Sequence, residues 1–103
     1  MRIAQPDWIT EIYETGPSSV EFLTSYEKTR KPERRFRLTA GRLLGDAADG
    51  KYSAALERES EIQVGGRKLR VWEIVDQVPL GSGTTAEACF AQTFLFLRPE
   101  EVL

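Results

Sequence analysis

The chain has 103 residues, with 14 Lys and Arg against 16 Asp and Glu, no His, one Cys and a formal net charge of −2. Without imidazole there is no His general base, no Ser-His-Asp or Cys-His arrangement and no His metal ligand. The lone Cys excludes a disulfide framework and any multi-Cys zinc or iron–sulfur site.

From Met1 to Asp7 no apolar run forms that could serve as a signal peptide. Trp8, Ile9, Ile12 and Tyr13 follow Asp7 at helical spacing, with Asp7 as N-cap. The spacing predicts a short N-terminal helix that ends before Gly16-Pro17. Val20, Phe22, Thr24 and Tyr26 alternate, predicting a strand over 20–28. Ser18-x-x-Glu21 is equally a helix capping box, so residues 18–28 are left open between strand and helix. Phe36, Leu38, Ala40 and Leu44 alternate with Arg35, Arg37 and Thr39, predicting a strand over 35–44.

Tyr52, Ala54, Leu56, Ile62 and Val64 alternate with Ser53, Glu57, Glu59, Glu61 and Gln63. The expected strand runs over 52–64, with a helical alternative at 53–59. Gly65-Gly66 then marks a two-residue hairpin into a strand over 67–78. Residues 86–97 are apolar at both parities and are read as a strand covered on both sides. Their longest uncharged stretch, Cys89 to Leu97, is nine residues, about half a membrane span. With 41% hydrophobic and 29% charged residues, the whole reads as one globular, cytoplasmic domain over 1–103. It is mainly β: an antiparallel meander of about five strands that curls into a small barrel or bent sheet, with a short N-terminal helix.

The Gly65-Gly66 turn sets the register. Val64 faces Arg67, Ile62 faces Leu69, Ser60 faces Val71, and Arg58 faces Glu73 on the apolar side. On the other side Gln63 faces Lys68, Glu61 faces Arg70, Glu59 faces Trp72 and Glu57 faces Ile74. The connection from Gly45 to Lys51, centred on residue 48, pairs Leu44 with Tyr52, Ala40 with Leu56, Leu38 with Arg58 and Phe36 with Ser60. Arg37 and Arg35 are then expected opposite Glu59 and Glu61.

Charge is segregated along the chain. Residues 1–27 carry −4, residues 28–42 carry +6 and residues 43–103 carry −4. The cross-strand ladder answers Arg35 and Arg37, each exposed pair contributing about 0.2–1 kcal/mol. Lys28, Arg30, Lys31 and Arg34 stay unanswered at the turn of a basic hairpin (Lys28–Arg37). Trp72 and Ile74 lie outward among glutamates and are expected to be covered by the Trp8/Ile12 helix or by a partner. Arg58 and Glu73 form a polar pair on the apolar side, as in a pocket that fixes a small ligand.

Gly81-Ser82-Gly83-Thr84-Thr85 lacks the Gly-Lys-Ser/Thr of a phosphate loop and precedes an expected strand, so it is read as a connection. Cys89 reads as a core filler, and Glu57 and Glu59 as surface charge. The reading favoured is a non-catalytic domain without cofactor or metal that binds a macromolecule, another protein or a second copy, and no membrane. It does so through Trp72 and Ile74 or through Lys28, Arg30, Lys31 and Arg34. The alternatives are nucleic-acid or phosphate binding by the basic hairpin, and a ligand-binding barrel with Arg58 and Glu73 inside.

Overall fold

The computed structural model describes residues 3–42 and 51–103. Strands β1 (Ile9–Gly16), β2 (Ser19–Thr24), β3 (Arg35–Arg42), β4 (Tyr52–Val64) and β5 (Arg67–Ile74) form an antiparallel meander in that order. A two-residue strand, β6 (Ser82–Gly83), pairs with β4 at Tyr52 and Ser53. Helical turn α1 (Tyr26–Thr29) joins β2 to β3, helix α2 (Ala86–Phe96) follows β6, and a last turn, α3 (Pro99–Val102), ends the described chain. The mainly-β meander expected from the alternation is borne out. The sheet stays open, with β1 and β5 at its edges, so the barrel alternative is corrected.

The core lies on one face of the sheet. Val20, Phe22, Phe36, Leu38 and Leu56 are almost wholly buried there, and α2 covers them with Cys89, Phe90 and Phe94. Phe22 is the hub: it stacks on Phe36 at a centroid distance of 5.3 Å and meets Phe94 edge-on at 5.3 Å and Trp8 at 6.1 Å. Such pairs add roughly 0.5–1.5 kcal/mol beyond their burial.

Three local expectations are corrected. The N-terminal segment is strand β1, not a helix. Its pairing with β2 shifts between Ile9 and Glu11 and again between Glu14 and Gly16. The first bulge puts Ile9 and Ile12, of opposite parity, opposite Thr24 and Phe22 on the core face, which hides the strand's period of two and mimics helical spacing. Next, the segment 20–28 divides: β2 stops at Thr24, and Ser25 caps α1 by accepting from the Lys28 N–H. Last, residues 86–96 are helix α2 rather than a strand. A continuous apolar run does not distinguish a buried strand from a buried helix. Thr85 decides it here, because its side chain caps the helix by accepting from the Ala88 N–H at 3.0 Å.

Helix α2 lies close on the glycine connection. A Cβ on Gly81 would stand 2.5 Å from the Cys89 carbonyl oxygen and 2.7 Å from the Thr93 nitrogen. The Gly81 N–H donates to Thr93 Oγ1 at 2.7 Å, and the Cys89 thiol donates to the Gly81 carbonyl at 3.2 Å. This segment is a helix seat whose glycines allow backbone-to-backbone approach. The expectation that a strand follows it is thereby overturned.

The β4–β5 register is the expected one at every pair from Val64↔Arg67 to Glu57↔Ile74. Gly65 and Gly66 both have positive φ (57° and 79°), the backbone of a tight primed turn, which admits glycine with least strain. Between β3 and β4 the register differs by two residues: Phe36 pairs with Arg58, Arg37 with Glu57, Leu38 with Leu56 and Ala40 with Ala54. Tyr52 pairs with Arg42; its expected partner Leu44, and residue 48 on which the loop was centred, lie outside the described residues. A shift of two keeps every side chain on its face, so the alternation alone leaves it undetermined.

Candidate interaction surface

On the sheet face away from the core, acids and bases form a ladder. Arg37 makes a bidentate pair with Glu57, Nε to Oε1 and Nη2 to Oε2, both at 3.0 Å. Arg35 lies 3.6 Å from Glu21 and 3.7 Å from Glu59, and Glu59 reaches on to Arg70 at 3.9 Å. Tyr13 donates to Glu21 at 3.2 Å and carries the Arg35 guanidinium 5.6 Å from its ring centroid. The strand arginines of the basic block are thus answered by carboxylates of β2 and β4, in kind as expected and one pair earlier along β4. What closes the ladder is that β2 also contributes a carboxylate, Glu21.

Trp72 lies at the far end of this face. The Arg37 guanidinium covers it at 4.5 Å from the ring centroid, and the expected N-terminal cover is absent. Trp8 and Ile12 belong to the core side, and β1 is separated from β5 by three strands. Ile74 beside it is 72% exposed.

The four turn cations do not form one patch. Lys28 lines a cleft of about 410 Å³ with Asp7, Trp8, Phe94, Leu95 and Arg98. Arg30 takes the left-handed C-cap position of α1 (φ 61°), and Lys31 Nζ donates to the Leu103 backbone oxygen at 3.1 Å. Arg34 sits instead in a depression with Glu59, Ser60, Glu61 and Arg70. The chain turn that reads as a hairpin tip is a capped helical turn that keeps Lys28 and Lys31 in one depression with Glu100 and Leu103, while Arg34 faces β4 and β5.

Arg58 and Glu73 do face each other across β4 and β5, with Nη2 3.4 Å from Oε2. Their side chains are 31% and 48% exposed, and the sheet is open, so no barrel encloses them. The ligand-barrel placement is corrected to a half-exposed ion pair at the margin of the core. Cys89 is fully buried, and burial raises its thiol pKa above the ordinary value, which makes the thiolate scarce.

The feature not anticipated is the end of the β4–β5 hairpin. Every residue from Glu61 to Arg70 is exposed, on both faces. On one face stand Ile62, Val64 and Leu69, 40%, 54% and 45% exposed, with Ile62 directly opposite Leu69. The other carries Lys68 and Arg70 opposite Gln63 and Glu61. This arm contributes to a long molecule, 46 Å by 34 Å by 24 Å, with a radius of gyration of 14.5 Å against roughly 13 Å for a compact chain of this length. Strand lengths carried the signal. β4 has 13 residues against eight in β3 and six in β2, so part of β4 and its partner must run past the rest of the sheet. No helix among the described residues is long and apolar enough to cross a membrane.

Compared with known proteins, the chain matches no family model, no curated protein and no solved structure.

Proposed function

We propose that this chain is a non-catalytic binding module that docks on another protein through the apolar side of its β4–β5 arm. The observation that carries the reading is the row Ile62, Leu69 and Val64, exposed on a ribbon that no layer among the described residues covers. A two-stranded ribbon is marginal in water by itself. An apolar row on such a ribbon gains by being covered, at about 25 cal/mol per Å² removed from water. Ile74 and Trp72, the sheet residues favoured from the sequence, lie on the opposite face beside the charge ladder and stand outside this contact. The absence of His and the burial of the one thiol support a binding role over catalysis.

Charge favours a protein over a nucleic acid as the partner. Arg35 and Arg37 are paired within the sheet; Lys28 and Lys31 share one depression with Glu100, and Arg34 sits in another with Glu59 and Glu61. Carboxylates thus interrupt the cations, whereas phosphate backbones are tracked by contiguous cations. A photo-crosslinking amino acid at position 69, introduced in the producing cell, tests the reading. Adducts to protein, absent when the probe stands at Glu27, are expected. Adducts to nucleic acid, or none, would overturn it.

A further inference from the structure

The sheet has two free edges, and they differ. β1 is interrupted by two register shifts, and Thr10 and Thr15 turn their hydroxyls to Leu23 and Ser19 of β2. Bulges of this kind are a common protection of an edge. β5 has no shift, no Gly and no Pro over eight residues, and among the described residues it pairs with β4 alone. Its sequence, Arg67-Lys68-Leu69-Arg70-Val71-Trp72-Glu73-Ile74, is basic in its first half and carries its acid in the second.

We infer that β5 pairs antiparallel with the β5 of a second copy of this chain, about a two-fold axis through Arg70. An axis perpendicular to the sheet keeps like faces together, which requires partners of equal parity. Centred on Arg70, Arg67 stands opposite the partner's Glu73, Leu69 opposite the partner's Val71, and Lys68 opposite the partner's Trp72, each twice. These are an ion pair, an apolar pair and a cation–π pair. Moving the register by two in one direction sets Lys68 against the partner's Arg70; in the other it sets Leu69 against the partner's Glu73. Both moves lose the Arg67–Glu73 pairs. The single like-charge meeting, Arg70 with the partner's Arg70, is tempered because each Arg70 Nε lies 3.9 Å from its own Glu59.

The inference deepens the proposed function and rests on it. One arm is two strands wide, about 10 Å at a strand spacing of about 4.8 Å, which is narrow for an interface of about 800 Å² per partner. Two arms edge to edge place their Ile62, Leu69 and Val71 rows side by side and double that width.

Sedimentation equilibrium on the full chain tests the pairing. A dimer is expected at about 100 µM, weakening as salt rises from about 0.05 to 0.5 M. Arg67→Glu and Glu73→Arg should each weaken dimerisation by about tenfold or more, since each sets like charges opposite one another twice. Because Glu73 also faces its own Arg58 at 3.4 Å, the charge exchange is made on an Arg58→Gln background. Arg67→Glu/Glu73→Arg there restores both intermolecular pairs and should recover the constant of Arg58→Gln alone to within about threefold, with an unchanged unfolding midpoint as the folding control. A monomeric wild type, or a dimer indifferent to both single reversals, would overturn the inference. A monomer whose position-69 probe still crosslinks to another protein would sink the pairing while leaving the docking arm standing.

Discussion

Strand β4 lives in two environments. Its first part, Tyr52 to Leu56, pairs with β3 and β6 and buries Leu56 under α2; its last residues, Glu61 to Val64, pair among the described residues with β5 alone and are exposed on both faces. Apolar residues keep one parity at both ends, Tyr52, Ala54 and Leu56 in the first part and Ile62 and Val64 in the last, on either side of the polar run Glu57 to Glu61. An alternating pattern therefore specifies which side of a strand is apolar, and the neighbouring layers decide whether that side is covered. In the body the pattern makes a core, and on the arm it makes a surface.

The largest effect expected is in the body. Phe22→Ala removes the ring that Trp8, Phe36 and Phe94 surround and should cost about 3–5 kcal/mol in urea unfolding, a large fraction of a small domain's stability. If Phe22→Ala unfolds near the wild-type midpoint, the aromatic cluster is not the centre of the body. Gly81→Ala comes next. Its Cβ meets backbone atoms of Cys89 and Thr93 rather than a movable side chain, so α2 must shift, at about 1–3 kcal/mol.

Cys89 reports on that same helix without a structural change. Its thiol pKa is raised by burial in the folded chain, so the unfolded chain ionises ahead of the folded one as pH climbs through the ordinary thiol range. Folded stability is then constant below that range and declines above it. Alkylation at mildly alkaline pH should be slow in the wild type and faster in Gly81→Ala. Equal rates in both would mean that the thiol is reached without unfolding.

These residues also show what the sequence made legible. The Gly65-Gly66 turn fixes its hairpin locally, and all eight pairs of β4 with β5 follow from it. Where a loop of several residues joins the strands, as before Tyr52, alternation fixes the face but leaves the register free by steps of two. Arg37 therefore meets Glu57 rather than Glu59. The bulge in β1 and the buried helix α2 were hidden for related reasons. A bulge adds one residue to a period of two, and a helix apolar on most sides has no period to read. The arm was hidden because coverage is a property of the whole sheet. Ile62 and Leu56 look alike in sequence, and only the shorter neighbours of β4 separate them.

Between body and arm stands Arg37, which couples the charge ladder to Trp72. Arg37→Ala loses a bidentate pair to Glu57 and the cover over the indole. The groups are partly solvated, so the expected cost is only about 1 kcal/mol, with a change in Trp72 fluorescence as the ring meets water. A double-mutant cycle with Glu57→Gln that shows no coupling would remove the ladder from the stability of the sheet.

The smallest expected effect on folding is the sharpest test of the comparison. Leu69→Gln replaces one exposed apolar group with a polar one of similar size on an exposed ribbon. A residue already in water gives up little burial when it becomes polar, and substitutions at such sites stay within about 0.5 kcal/mol. The unfolding midpoint should hardly move, while crosslinking from a probe at the adjacent Ile62 falls. Leu56→Gln on the same strand, chemically the same exchange, buries an unpartnered amide and should cost several times more. If the two substitutions destabilise equally, the arm is packed against the body in solution and is not a free surface. If Leu69→Gln leaves both stability and crosslinking unchanged, the apolar row is exposed without being used.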